Sequence, residues 1–260
     1  MEVIIAEDAD EVARRAATRF VRAIAGRTAP VLGVATGSSP IGTYAELARR
    51  VSAGALDLSR ASAFALDEYV GLDPDHPESY RSVIHRTVTT PLGLDPTRVH
   101  VPNGAADDIP RVCLDYERAI SASGGVDVQL LGIGANGHIG FNEPSSSFGS
   151  RTRLKTLAPQ TRADNARFFG AGTETPVHCI TQGLGTILKA RHLVLLAFGE
   201  GKAQAVADAV EGPLTAFLPG SAIQLHPHAT VVVDEAAASR LKLADYYRYT
   251  FANKPAWQGI

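Results

Sequence analysis

The stretch VDVQLLGIGANGHIGFNEP, Val126 to Pro144, opens as a mostly apolar run and then breaks up. From Gly132 onward it holds four glycines, a histidine, two asparagines and a glutamate. An apolar run of this length, ended by glycine, reads as a buried strand running into a loop. The same figure recurs along the chain in VIIA (Val3–Ala6), VLGVAT (Val31–Thr36), ASAFAL (Ala61–Leu66), RVHV (98–101), RHLVLLAFG (Arg191–Gly199) and ATVVVDE (Ala229–Glu235). Amphipathic segments lie between these runs; the first spans about Asp8 to Ile24, with Asp8 or Asp10 as its N-cap. Strands that are continuously apolar rather than alternating, interleaved with helices, predict an α/β fold. The expected architecture is a doubly wound, mostly parallel sheet with helices on both faces.

In such a sheet ligands bind beyond the carboxyl ends of the strands. The residues directly after each apolar run therefore matter most: TGSSP (Thr36–Pro40), DEY (67–69), the Gly132–Pro144 loop and GEGK (199–202). The residues Thr36, Gly37, Ser38 and Ser39 form a small-residue loop entering a helix, where free N–H groups and hydroxyls suit a phosphate. A tight strand-to-helix turn would use the same residues, and the lysine and spacing of a nucleotide P-loop are absent. Lys202, and an arginine from further along the chain, would add the charge a phosphomonoester needs. Asp67 and Glu68 read as a carboxylate pair at the pocket mouth, one of them able to act as a general base.

The spacing Gly132-x-Gly134-x-x-Gly137 also fits a dinucleotide-binding turn. That turn requires a helix directly after the glycines and an acidic residue about 20 positions on. The chain instead continues HIGFNEPSSS and later LKTLAP, so the dinucleotide reading fails on context. The remaining reading is a glycine-lined loop that presents His138 and Glu143 to a substrate, histidine being the side chain suited to moving protons near neutral pH. The other histidines are scattered without metal-site spacing, and no metal is expected.

Composition narrows the class. The 260 residues are 45% hydrophobic and 20% charged, with a net charge of −2, which gives no footprint for nucleic acid and no polybasic run for a membrane surface. The N-terminus turns acidic after four apolar residues, unlike a signal peptide. Cys113 and Cys179 read as buried thiols in a reducing compartment, so a cytoplasmic protein is expected. Residues 1–260 are expected to form one α/β domain. Within it the polar stretch Ser145–Thr181 stands out as the least regular, and a mobile flap over the strand ends is expected around 153–181.

The motifs ATGSSP, LDEYVGLDPDHPESY, GIGANGHIGFNEPSSSFGSRTRLKTL, NARFF, VEGP and IQLHP together resemble the glucosamine-6-phosphate deaminase (isomerase) family over nearly the whole chain. The resemblance implies aldose–ketose isomerisation coupled to deamination: glucosamine 6-phosphate and water give fructose 6-phosphate and ammonia, with no cofactor. It implies that Asp67 moves the proton from C2 to C1, and that Asn136, His138 and Glu143 open the sugar ring. Arg167 and Lys202 join the Thr36–Ser39 loop as the implied phosphate site. Where several family members have aspartate, this chain has Asn136; an amide orients His138 but carries no charge, which leaves Glu143 as the expected ionised partner. Some relatives are activated by N-acetylglucosamine 6-phosphate between subunits, and Ser146, Arg153, Lys155 and Thr156 match that site, implying a homo-oligomer. A lactonase acting on a sugar-phosphate lactone and a non-catalytic sugar-phosphate sensor are the competing readings. The sensor would need an appended domain, for which the fold leaves no room.

Overall fold

In a computed structural model, which describes residues 1–169, 174–255 and 258, the described residues form ten strands. In chain order they are β1 (Glu2–Ala6), β2 (Val31–Val34), β3 (Ser62–Ala65), β4 (Asp67–Tyr69), β5 (Val99–His100), β6 (Val128–Gly132), β7 (Arg153–Thr156), β8 (His178–Thr181), β9 (His192–Ala197) and β10 (Ala229–Asp234). Seven of them make one parallel sheet in the order β1-β10-β9-β6-β2-β3-β5.

The apolar runs are continuous because both faces of this sheet are covered. Successive side chains of a strand point to opposite faces. Accordingly Val31, Phe64, Leu131, Leu195 and Val231 enter one core while Leu32, Ala63, Leu130, Leu196 and Val232 enter the other. Helix Ala9–Ala23 closes the second core with Val12, Ala16, Ala17 and Phe20, spaced at helical intervals. It starts where the sequence predicts, with the Asp8 carboxylate accepting from Glu11 N–H. Helix Ile109–Ala122 covers the first core with Tyr116 and Ile120.

The stretch expected to be irregular has regular ends. β7 and β8 pair antiparallel, and β8 pairs with β4, forming a separate three-stranded sheet. Between them, helix Pro159–Ala166 projects over the carboxyl ends of the large sheet. Residues 170–173 of the expected flap lie outside the described residues, as do 256, 257, 259 and 260 of the C-terminal tail.

From β2 the chain moves outward to β3 and β5, then returns to the other side of β2 with β6. The strand order reverses there, so the loops after β2 and β6 diverge and leave a crevice at their carboxyl ends.

Candidate active site

That crevice opens into a cavity of about 340 Å³. The loop after β2 supplies one wall. The Tyr44 hydroxyl donates to Ala35 C=O and accepts from Ala35 N–H, both at 2.9 Å, which fixes the point where the loop leaves the sheet. Thr36, Gly37, Ser38 and Ser39 all line the cavity. Helix Ile41–Ser52 follows without a side-chain cap, and among the described residues nothing accepts from the N–H groups of Gly37, Ser38 and Ser39. Uncapped donors at a helix N-terminus form an anion site.

Lys202 reaches the same cavity from the turn after β9. The Asp234 carboxylate accepts from Gly199 N–H and so fixes that turn. Burial pushes the Lys202 ammonium below its usual range; Asp164 pulls it up, and Arg167 pushes it down. Asp164 on helix Pro159–Ala166 and Arg167 just after it both line the cavity, and the Arg167 guanidinium lies 4.8 Å from the Phe168 ring centroid.

Asp67 lies on the opposite wall at the start of β4, 5% exposed. Burial, then the charge of Glu68, pushes its carboxyl up to about 8, against a backbone N–H from Phe141 that favours the ionised form. The expected carboxylate pair does not form. Glu68 is the next residue on a strand, so it points to the other face. There its carboxylate accepts from the N–H groups of Tyr69, Tyr80 and Arg81, capping the short helix Tyr80–Ile84.

The loop after β6 delivers His138. Gly137 has φ +80°, a conformation that favours glycine, and a Cβ there would sit 2.4 Å from Leu218 Cδ1. A Cβ on Gly134 would sit 2.2 Å from His138 Cε1, so the imidazole packs directly over the glycine backbone. The ring lines the cavity, while Asn136 and Glu143 lie behind it. Glu143 does not hydrogen-bond His138; its Oε2 is 3.9 Å from His138 Nδ1 and accepts instead from Asn136 Nδ2 at 2.8 Å. Asn136 Oδ1 in turn accepts from His138 N–H at 3.2 Å. The amide thus bridges the carboxylate and the histidine backbone. Burial pushes the imidazole below its usual range and the Glu143 charge pulls it back up. The other Glu143 oxygen accepts from Ala158 N–H, where helix Pro159–Ala166 begins.

Ser146, Arg153, Lys155 and Thr156 do not line the cavity. Ser146 is buried and its hydroxyl donates to Glu143 C=O at 2.6 Å; the other three lie on β7, with Arg153 and Lys155 on one face. Tyr69, Tyr80, Asp164 and Asn165 line the cavity without having been singled out. They sit within the segments DEY, ESY and TRADNARFF, but nothing in residue spacing marks them as neighbours. Among the described residues no three His, Cys, Asp or Glu side chains are grouped to hold a metal, and no helix is long and apolar enough to cross a membrane.

The cavity therefore combines a buried carboxyl of raised pKa, an imidazole and an anion site at one end. Such a set can bind a phosphorylated molecule and move protons on its other end.

Comparison with known proteins agrees with this layout. The chain is 59% identical, over 260 residues and 100% of both chains, to glucosamine-6-phosphate deaminase of Pseudarthrobacter chlorophenolicus. A solved structure described as a monomeric glucosamine-6-phosphate deaminase superposes with a TM-score of 0.89 at 40% identity, covering 92% of this chain and 100% of that one. A 6-phosphogluconolactonase from Leishmania guyanensis, 21% identical, covers 91% of this chain and 97% of its own with a TM-score of 0.69, a likeness of fold alone. Residues 6–233 match the sequence pattern of the family described as glucosamine-6-phosphate isomerases/6-phosphogluconolactonase. The chain belongs to that family.

Proposed function

We propose that this protein converts glucosamine 6-phosphate and water to fructose 6-phosphate and ammonia. The observation that carries the reading is Asp67: a buried carboxyl pushed up to about 8, lining the same cavity as the Thr36–Ser39 anion site and Lys202. A carboxylate of raised basicity suits removal of a carbon-bound proton, and it needs no metal partner to do so.

In this reading the Thr36–Ser39 loop, Lys202 and Arg167 hold the phosphate. His138 takes the anomeric proton and returns one to the ring oxygen, opening the sugar. Only the open aldehyde acidifies C2, so ring opening comes first. Asp67 then removes the C2 proton; the electron pair forms a C1–C2 double bond as the C1=O π pair moves onto O1, which takes up a proton from the amine. Reprotonation at C1 by the same carboxyl leaves a C2 imine. Water adds to that imine and ammonia departs, so atoms balance. Asn136 and Glu143 hold the loop that carries His138; at 3.9 Å the carboxylate acts on the imidazole through the field rather than through a hydrogen bond.

The same reading takes Ser146, Arg153, Lys155 and Thr156 as contacts for a second sugar phosphate between copies of the chain. The similarity to a protein described as monomeric weighs against it, and light scattering with effector-dependent kinetics decides it. The two buried free thiols support a reducing, cytoplasmic setting.

The test is ammonia release from a panel of 2-amino sugar phosphates of gluco and galacto configuration and their N-acetylated forms, with acid release from 6-phosphogluconolactone as control. Acid release without ammonia release overturns the proposal.

A further inference from the structure

A line of polar side chains crosses the roof of the cavity, and of these only Thr36 takes part in the proposed reaction. Asn165 Nδ2 donates to the Tyr69 hydroxyl at 3.0 Å, and the Tyr80 hydroxyl donates to the same oxygen at 3.2 Å. The side chain of Thr36 also hydrogen-bonds Tyr80. These four residues come from the flap helix, β4, helix Tyr80–Ile84 and the loop after β2.

Tyr69 is the fixed member. It is 1% exposed, and its ring packs 4.8 Å from Tyr80, 5.7 Å from Phe141 and 5.6 Å from Phe169. It also lies two residues from Asp67 on the same strand, on the same face. Both lone pairs of its phenolic oxygen are engaged, one by Tyr80 and one by Asn165. Asn165 is the member that belongs to the flap. It sits two residues before Arg167 and next to Asp164, within one helical turn, so its anchoring sets where both charges face. The flap helix is thus tied at its start by Ala158 to Glu143 and near its end by Asn165 to Tyr69.

We propose that the Asn165–Tyr69 hydrogen bond is a latch. It holds the flap against the strand that carries Asp67, and so positions Arg167 over the phosphate end of the cavity. The identity of the ligand as a sugar phosphate rests on the proposed deaminase function. Asn165 and Tyr69 are positioning residues: they act through Arg167 and touch no reacting atom. Loss of the latch weakens phosphate binding and leaves the proton transfers intact.

Two variants and their combination test this. Tyr69→Phe keeps the ring packing and deletes the hydroxyl; Asn165→Leu keeps the volume and deletes the donor. One hydrogen bond in a partly buried setting predicts that each raises KM for glucosamine 6-phosphate about tenfold, with kcat within about twofold of wild type. Tyr69→Phe also removes the acceptor of the Tyr80 hydroxyl, but both substitutions remove the Asn165–Tyr69 bond, so the double variant is no worse than Tyr69→Phe alone. A KM that moves less than about twofold in both variants, effects that multiply in the double variant, or a kcat that falls in step with the rise in KM each overturns the latch.

A second measurement separates the latch from the reaction. Inorganic phosphate is expected to protect the flap arginines of the wild-type protein from trypsin, and to protect either variant only at about tenfold higher concentration. If the wild-type protein releases no ammonia from glucosamine 6-phosphate, the functional reading fails alone, and the protection assay still decides the latch. Equal protection of all three proteins across a phosphate titration overturns it.

Discussion

Replacing Asp67 by asparagine is expected to abolish ammonia release and, at the same time, to make the protein harder to unfold. The carboxyl is 5% exposed and pushed up to about 8 from 3.8, first by burial and then by the charge of Glu68. A carboxyl whose folded pKa lies above its unfolded value contributes its full stability only below the unfolded value. That contribution is lost as pH rises toward the folded value, because the unfolded chain releases the proton first. At about 1.36 kcal/mol per pH unit, the folded state forgoes roughly 4 kcal/mol at pH 7 relative to pH below 3.8. Relaxation around the charge and an imperfectly paired new amide each offset part of this, about 1–2 kcal/mol in all. A net gain of roughly 2–3 kcal/mol in a chain of this size corresponds to roughly 5–10 °C in Tm.

The assay is a series of thermal melts of both proteins from pH 5 to pH 9. The two proteins are expected to melt close together at pH 5, with the variant higher by a gap that widens toward pH 8 and levels off above. Activity gives an independent reading, since kcat/KM of the wild type should rise with pH as the free carboxyl ionises near 8. A gap that is absent, reversed or constant with pH refutes the reasoning that Asp67 is held protonated by its surroundings.

Other expectations concern the same cavity. Lys202→Ala should raise KM for the phosphorylated sugar strongly while an unphosphorylated sugar, already poor, loses little; equal proportional losses would remove Lys202 from the phosphate site. His138→Gln should be partly rescued by an analogue that cannot cyclise, read as exchange of the C2 proton in heavy water, whereas Asp67→Asn should not; the opposite pattern exchanges the two roles. Asp164 lines the mouth beside Lys202 and Arg167 and opposes an incoming phosphate. Asp164→Asn should therefore lower KM about threefold, and less at high salt, as expected of an exposed charge; an unchanged or raised KM excludes that role.

Much of this protein is legible along the chain. Strand positions, the Asp8 cap, the doubly wound order and the loops at the strand ends rest on local features: runs that are apolar on both faces, turn residues, glycines. The loops that ring the cavity follow from the same logic, since a parallel sheet sends every strand's carboxyl end to one side. Pairings between segments are another matter. Neighbouring carboxylates at 67 and 68 look like a pair in sequence, yet the two-residue period of a strand sends Glu68 to cap a helix instead. Glu143 looks like a direct partner of His138, yet the turn places Asn136 against that carboxylate. The segment around 153–181 reads as irregular because β7 and β8 are only four residues long and β7 is half exposed; β4, the other partner of β8, lies more than 100 residues earlier in the chain. Asn165 and Tyr69 are 96 residues apart and meet only because β4 joins the second sheet, next to helix Pro159–Ala166. A sequence states which face a residue prefers through periods of two and 3.6, but a contact needs the register and packing of two elements at once. That information resides in the tertiary structure.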